Sequence, residues 1–586
     1  MSRAARLLLA ALAALLLAPA AAQAHAVLEA SSPERGAQLE RAPKQVTFRF
    51  NERVEASFGA VRVYDAEGER VDDEQLIRPP DDNRTAGVGL KGGLEDGTYT
   101  ATYRVVSADS HPVSGGLVFT VGSGGAAPSA TVSELLSDTD SGRVTTTAFG
   151  IVRGLGYAAI AIGIGAVLFL LLVWPRGRWA EADAALHAAL RRLVLGAAAV
   201  GAVTALLALV FQGAVAGGTS FWDALNGTVL GDVLDTRYGE VAVVRFVAWL
   251  VAAAALAAAL SPARAGRSER PAAALGAVAA PPAGGALTLA AAALLVAAVS
   301  FGLGGHAGAT DPEWLLLPAD ALHVVAMGAW VGGLVILLLV VPRATRALEA
   351  GGERTKLLAA TLTRFSPLAL ASVATIIASG TIAAIVHLDS FGDLLHTAFG
   401  RAIVVKVVLL GGLVALGAYN QRRLAPRLRA LAQEGDKAPG ADGLRLRTAL
   451  RAEVGLAAAV IAATAALVSY SPASAAPGVF STSLEIGSAR MELTVAPAQA
   501  GTQEVHVYLF DAKTGAQLTK LDEFTLNASL PDKELGPIEV PLRQAGPGHF
   551  TTNDATISPA GDWKLTAKLR TGTFDIASAS TEIEVR

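Results

Sequence analysis

Three residues near the start of the chain could hold a metal ion. Ala22-Gln23-Ala24 forms a small-x-small cleavage site, so His25 is expected to become the first residue of an exported chain. A histidine in that position offers its α-amine and ring Nδ1, which close a six-membered chelate on one ion. Ser107-Ala-Asp-Ser-His-Pro-Val-Ser-Gly115 supplies a third in-plane nitrogen from His111. Asp109 lies two residues earlier, on the same side if the segment is extended. Its carboxylate either binds axially or orients an imidazole from behind. Such a T-shaped nitrogen set suits tetragonal Cu(II), which heads the divalent affinity order. Alone, His111 reads as an incidental histidine on a polar sheet edge; a processed His25 is what turns the pair into a metal site.

A second group lies in apolar surroundings. Asp320, His323, Met327 and Trp330 are spaced three, four and three apart, so a helix places all four on one face. A His/Met pair one turn apart suits the softer Cu(I), and an ionisable residue inside a membrane helix is a functional suspect. Met327 and Trp330 read equally well as packing residues. His306 precedes this helix, and His387 and His396 flank a later loop. Together with Asp320, His323 and Met327 they outline a transfer path. Arg245, Arg401 and Lys406 would repel a cation, and are expected to pair with carboxylates or set helix depth.

The elements that must position these residues follow from composition. The chain has 586 residues, 52% apolar and 17% charged, which points to a membrane protein with exported appendages. A net charge of -3 leaves no basic excess for nucleic acid. The absence of Cys removes disulfides, iron–sulfur clusters and thiolate sites. Residues 1–24 read as a signal peptide, with Arg3 and Arg6 ahead of the apolar Leu7 to Leu17. Residues 25–122 alternate with period two, as in Val46, Phe48, Phe50 and Tyr99, Ala101, Tyr103, Val105, predicting strands with one buried face in an antiparallel β-sandwich. Residues 123–146 form a Gly/Ser/Asp-rich linker. Alternation returns over 477–586, a second β-sandwich.

Between them, residues 147–471 hold eight stretches near the length that crosses a bilayer, about 20 residues: 148–173, 193–216, 239–260, 285–303, 318–341, 365–386, 402–419 and 452–470. With the β-domains outside, the loops bearing Arg178, Arg191 and Arg192, Arg264 to Arg270, Arg343 to Lys356 and Arg422 to Arg429 all fall inside, obeying the positive-inside bias. Of nine histidines, His187 alone is then on an inside loop. A parallel internal repeat is also present. Leu170 to Arg176 matches Leu337 to Arg343, and Gly231 to Gly239 matches Gly392 to Gly400, with Arg245 and Lys406 six residues further on. Only the second copy carries histidines, His387 and His396, about its outer loop.

His25-Ala-Val-Leu, Ser32-Pro33, the Phe48 to Glu52 strand and Ser107 to Gly115 resemble the CopC family of periplasmic copper-binding β-sandwiches of Greek-key, cupredoxin-like type, over essentially all of 25–121. The resemblance implies copper ligation by His25, Asp109 and His111. Ser110 stands where Gly is usual, and the absence of Met from this domain implies a Cu(II)-only site. His306, Asp320 to Gly333 and Phe399 to Lys406 resemble the CopD family, over roughly 148–470. That resemblance implies copper uptake across the cytoplasmic membrane and copper tolerance, with Cu(I) a candidate cargo in the helices. The last domain looks like the small YtkA-like β-domains.

The expectation is therefore a multi-pass protein of the cytoplasmic membrane that binds and imports copper. It is not an enzyme, and its partners are copper ions, the lipid bilayer and extracytoplasmic copper chaperones. Two other classes compete. A haem-bearing electron-transfer bundle would use His323 and His387 as axial ligands. A histidine-brace copper monooxygenase would need an open position for oxygen that Asp109 blocks.

Overall fold

The computed structural model describes residues 26–585 apart from 27, 57–58, 80–81, 123–134, 137–140, 176, 262–282, 389–390, 435–436, 470–479, 497, 499, 515–516, 519 and 573–574. Residues 1–24, read above as a signal peptide, and His25 lie outside the described residues. The chain divides into two compact units: His25–Gly142 with Gly213–Asp232 and Ala475–Arg586, and the helical remainder.

In the first unit, the amino-terminal β-domain comprises β1 (Leu28–Ser32), β2 (Gln38–Leu39), β3 (Gln45–Phe50), β4 (Val54–Glu55), β5 (Val61–Tyr64), β6 (Asp72–Ile77), β7 (Thr85–Leu90), β8 (Gly97–Ser107) and β9 (Pro112–Val121). One sheet runs β1-β3-β7-β6; the other runs β2-β9-β8-β4, with β5 also paired to β8. Val46, Phe48 and Phe50 turn inward from β3, and the Phe48 and Phe50 rings meet Tyr103 of β8 at 4.8 and 5.2 Å. Alternation succeeds on β3 because only one face is covered. It fails on β8, where Thr98, Thr100 and Thr102 are buried as fully as the apolar residues between them. A central strand can be covered on both faces, and threonine tolerates that burial while still fitting a pleated sheet.

The carboxy-terminal β-domain comprises β10 (Phe480–Ile486), β11 (Ala489–Ala496), β12 (Gly501–Asp511), β13 (Glu523–Leu530), β14 (Leu535–Glu539), β15 (Arg543–Gly546), β16 (His549–Ile557), β17 (Gly561–Arg570) and β18 (Ile576–Val585). Its sheets run β10-β11-β12-β16-β15 and β14-β13-β17-β18. The fully buried Trp563 anchors the core between them and donates its indole N–H to Pro559 O at 2.8 Å.

The helical unit holds eight helices long and apolar enough to cross a membrane, among the described residues: α1 (Gly142–Val173), α2 (Ala180–Gly217, whose last turn belongs to the first unit), α3 (Arg237–Ala259), α4 (Gly284–Leu303), α5 (Glu313–Arg346), α6 (Gly352–His387), α7 (Ala398–Gln433) and α8 (Gly440–Leu467). Helices α2, α6 and α8 start at Ala180, Gly352 and Gly440 rather than at 193, 365 and 452. Beyond the opening glycines of α6 and α8, the added stretches 181–192, 353–364 and 444–451 are rich in charged residues, Ala and Leu, so hydropathy misses them while backbone propensity favours a helix there.

The repeat has local counterparts in three dimensions. The Thr236 hydroxyl caps α3 by accepting from Gly239 N at 3.1 Å, and the Thr397 hydroxyl caps α7 by accepting from Gly400 N at 2.9 Å. These threonines are equivalent in the repeat. So are Gly165 and Gly332, which bring α1 and α5 into direct backbone contact. A Cβ on Gly165 would lie 2.6 Å from Gly332 Cα, and one on Gly332 would strike Ala161 O. Both helices also carry a π-helical turn, Phe169–Val173 and Gly328–Gly332.

Candidate metal centre

Strands β8 and β9 are joined by the tight turn Ala108–His111. Ser107 N donates to His111 O at 2.9 Å, and Ser110 N donates to Ser107 O at 2.9 Å. Ser110 takes a left-handed φ of 72°, which explains why glycine is the usual residue there. Asp109 and His111 therefore sit in a turn and not along an extended strand, so it is the chain reversal that brings them to one side.

Asp109 is buried. Its Oδ1 accepts from the Ser107 hydroxyl and from His111 N at 3.2 Å, and its Oδ2 lies 3.3 Å from His111 Nδ1. That last spacing suits two donors on one ion with bonds of about 2 Å. The oxygen that is tied down aims the other at the imidazole. Glu52, which the sequence reading passed over, is a second carboxylate at this turn. Its Oε1 accepts from Ala108 N at 3.3 Å. Burial pushes its pKa up to about 7, with the neighbouring Asp109 charge adding to the rise and the Ala108 N–H opposing it. Its position at the end of the Phe48 to Glu52 stretch was the available signal.

In the helical unit, His306 opens a short turn after α4 and His387 is the last residue of α6. Their rings meet edge-on with centroids 5.7 Å apart, and Phe399 at the start of α7 lies 6.3 Å from each. The haem reading pairs His387 with His323, whereas the structure sets His387 beside His306. His323 Nδ1 meets Ser379 Oγ of α6 at 2.9 Å. The Ser379 hydroxyl proton is spent on Thr375 O at 2.7 Å, so Ser379 accepts from His323 Nδ1–H. The Nε2 lone pair of His323 is thereby left for a ligand. Asp320 lies against Gly302 of α4, where a Cβ would come within 2.8 Å of its Oδ2, and it feels the charge of Lys406. Met327 is partly buried and packs on the apolar core, and Trp330 is buried in it. His396 closes the short helix Asp393–His396, and its side chain lies outside the described residues.

Arg245 departs from expectation. It is held by Ser300, through Oγ at 2.8 Å and the carbonyl at 2.7 Å, and lies over the Phe301 ring. A backbone carbonyl and a ring face supply the negative potential expected of a carboxylate. Glu453 of α8 is a further residue not singled out from sequence. It is 2% exposed and accepts from Asn420 Nδ2 at 2.8 Å, where α7 enters a π-helical turn, Asn420–Leu424. A lone carboxylate in an otherwise apolar span was its legible sign.

Family models match three stretches: the CopC domain over 28–122, the copper resistance protein D-like N-terminal domain over 144–280, and copper resistance protein D over 359–467. The chain is 29% identical over 566 residues to the copper transport protein CutJ of Bacillus subtilis, covering 95% of each. It is 34% identical over 98 residues to protein YobA of Escherichia coli K12, covering 17% of this chain and 79% of that one. Among solved structures, CopC from Methylosinus trichosporium OB3b is 29% identical, covering 18% of this chain and 98% of its own, at a TM-score of 0.16. The methionine-rich copper resistance protein PcoC from Escherichia coli is 25% identical, covering 17% and 98%, at a TM-score of 0.15.

Proposed function

We propose that this chain, which carries a CopC domain and the two copper resistance protein D domains, captures Cu(II) outside the cell membrane and imports copper through its helices. The observation that carries this reading is the pair Asp109 Oδ2 and His111 Nδ1, 3.3 Å apart on a turn that fixes both. A processed His25 would add its chelate to that pair, and Glu52 stands ready as a further oxygen donor or as the group that tunes Asp109. Extracytoplasmic chaperones are the partners that would deliver the ion.

Within the helices, His306 and His387 with Phe399 form the outer station, and His323, Asp320 and Met327 lie deeper along α5. The hard nitrogen and oxygen donors come first and the thioether last. That gradient favours movement as Cu(I), after reduction by an external donor. Both termini face outward in this arrangement.

The test has two arms. Purified mature protein should show a nitrogen-rich Cu(II) electron paramagnetic resonance signal that disappears in His111→Ala. Cells expressing the wild-type chain should accumulate more copper than cells lacking it. A normal signal in His111→Ala, or equal copper in both cell lines, would refute the corresponding half of the proposal.

A further inference from the structure

The carboxy-terminal β-domain contains two histidines that neither the copper turn nor the helices use. His506 on β12 and His549 on β16 come from adjacent antiparallel strands, in which Tyr508 pairs with His549 and His506 pairs with Thr551. Both are buried, at 3% and 7% exposure. His506 Nδ1 and His549 Nε2 are 3.1 Å apart, and the ring centroids are 5.4 Å apart with planes 18° from parallel. The difference between these two distances matches the two ring radii, so the nitrogens point at each other along the line joining the rings.

The surrounding bonds assign the protons. Glu504 Oε1 lies 3.0 Å from His506 Nε2, and Arg35 Nε lies 3.3 Å from Glu504 Oε2. With the Arg35 guanidinium on one oxygen and the His506 ring on the other, the Glu504 carboxylate is the acceptor toward both. An ionised carboxylate only accepts, so His506 carries its proton on Nε2, and Nδ1 presents a lone pair. His549 Nε2–H then donates to that lone pair. Thr551 Oγ1, at 3.4 Å from His506 Nε2, completes the polar surroundings. The Tyr508 ring stacks on His549 at 4.3 Å and fixes its plane. A turn of the amino-terminal β-domain covers both rings. Gly36 there has a φ of 70°, and a Cβ on it would come within 2.9 Å of each imidazole.

We propose that His506 and His549 form a second metal site for a soft monovalent ion, Cu(I), held linearly between His506 Nδ1 and His549 Nε2. Zinc needs four ligands, which the pair does not supply. A d¹⁰ monovalent ion is satisfied by two collinear nitrogens. Glu504 on the far nitrogen of His506 is the arrangement that fixes a ligating ring and raises its basicity. With metal–nitrogen bonds of about 2 Å, the nitrogens must part by roughly 1 Å. His549, the first residue of its strand beside the Pro547-Gly548 turn, can supply that movement. On ion binding the proton leaves His549 Nε2 and a proton is taken up at Nδ1 of the same ring through solvent, so both rings stay neutral and the site gains one positive charge beside Glu504. The site stands apart from the import reading and does not require it.

The test uses the full-length protein in detergent, with Ag(I) as a redox-inert stand-in for Cu(I). Wild type should retain one more equivalent of Ag(I) against a fixed competing chelator than His506→Gln or His549→Gln, while the Cu(II) signal of the His111 turn stays unchanged in both. As a readout independent of any variant, Ag(I) added to wild type should slow amide exchange in 503–511 and 549–557. Equal silver equivalents in wild type and variants, or no change of exchange in those strands, would show that the pair is a hydrogen-bonded clasp and overturn the proposal.

Discussion

Gly165 of α1 and Gly332 of α5 are 167 positions apart, the same offset that relates Leu170 to Leu337, and the two glycines touch. The contact is reciprocal: Gly165 approaches Gly328 O while Gly332 approaches Ala161 O, and these two partners are again 167 apart. Equivalent residues meeting each other mark a two-fold relation between the halves of the repeat. Helix α5 comes four spans after α1, so if each apolar helix crosses the bilayer the two enter it in the same direction. Close approach through small residues is the usual means of packing helices in lipid.

Gly332→Leu should therefore separate α1 from α5, whereas Gly231→Leu, at a position with open space around it, should be tolerated. Overpacking costs about 1–3 kcal/mol in a well-filled core. The expected result is a lower midpoint in detergent thermal unfolding and loss of copper accumulation for Gly332→Leu alone. Identical melting curves would remove the argument from the glycine crossing.

At the 108–111 turn, Asp109→Asn keeps the shape but loses the charge facing His111 Nδ1. A lost partner of this kind lowers metal affinity by roughly 10–100-fold. Titration of Cu(II) against a competing chelator should show that loss, and Ser107→Ala, which frees Asp109 Oδ1, should show a smaller one. An added glycine ahead of His25 should weaken binding more than either.

In the helices, His323→Ala should abolish copper accumulation while the Cu(II) signal of the β-domain persists. Ser379→Ala leaves the ring but not its tautomer, and should reduce accumulation by roughly 10–100-fold. If Ser379→Ala cells accumulated normally while His323→Ala cells did not, the orienting role given to Ser379 would be wrong.

The metal-free carboxy-terminal domain should weaken in acid. Burial, reinforced by His506, lowers the His549 pKa from 6.5 to about 4. Between those values the unfolded chain binds the proton and the folded one does not, so stability is complete above about pH 6.5 and falls as pH drops toward 4. The groups facing His549 are His506 and Tyr508, with Glu504 and Arg35 behind His506. The loss is on the order of 2–3 kcal/mol. Amide exchange in β12 and β16 should accelerate between pH 7 and pH 4.5, and His549→Gln should flatten the change.

Cysteine placed at 346 or 427 should react only from the cytoplasmic side, and at 223 or 391 only from outside. The Cys-free background makes each label unambiguous. Reversed labelling would invert the proposed orientation.

Much of the architecture was legible because it rests on periodicity. Val46, Phe48 and Phe50 announce β3, and the apolar runs mark all eight spans. The matched Gly-Asp segments before α3 and α7 announce that their Thr caps are equivalent. What escaped was set by geometry between distant residues. Glu52 gains meaning only when the 108–111 turn folds over it. His506 and His549 are 43 residues apart, and only the β12–β16 register reveals that they face each other. Nothing in the run Gly328 to Gly332 distinguishes a π-helical turn from an α-helical one, and the residues of α1 that lie against it, Ala161, Ile164 and Gly165, are far away in sequence.

The contact of Arg35 with Glu504 also bears on how the protein is made. The two residues lie at opposite ends of the chain, 469 positions apart. At a synthesis rate of about 5–20 residues per second, the amino-terminal β-domain waits roughly half a minute to a minute and a half for its partner surface. Through that interval the Gly36 turn and Val118, which packs against Tyr508 and Phe510, stay uncovered while eight spans are inserted. Maturation of this interface is thus a late step, and a nascent chain arrested before residue 504 would display a surface that the finished protein hides.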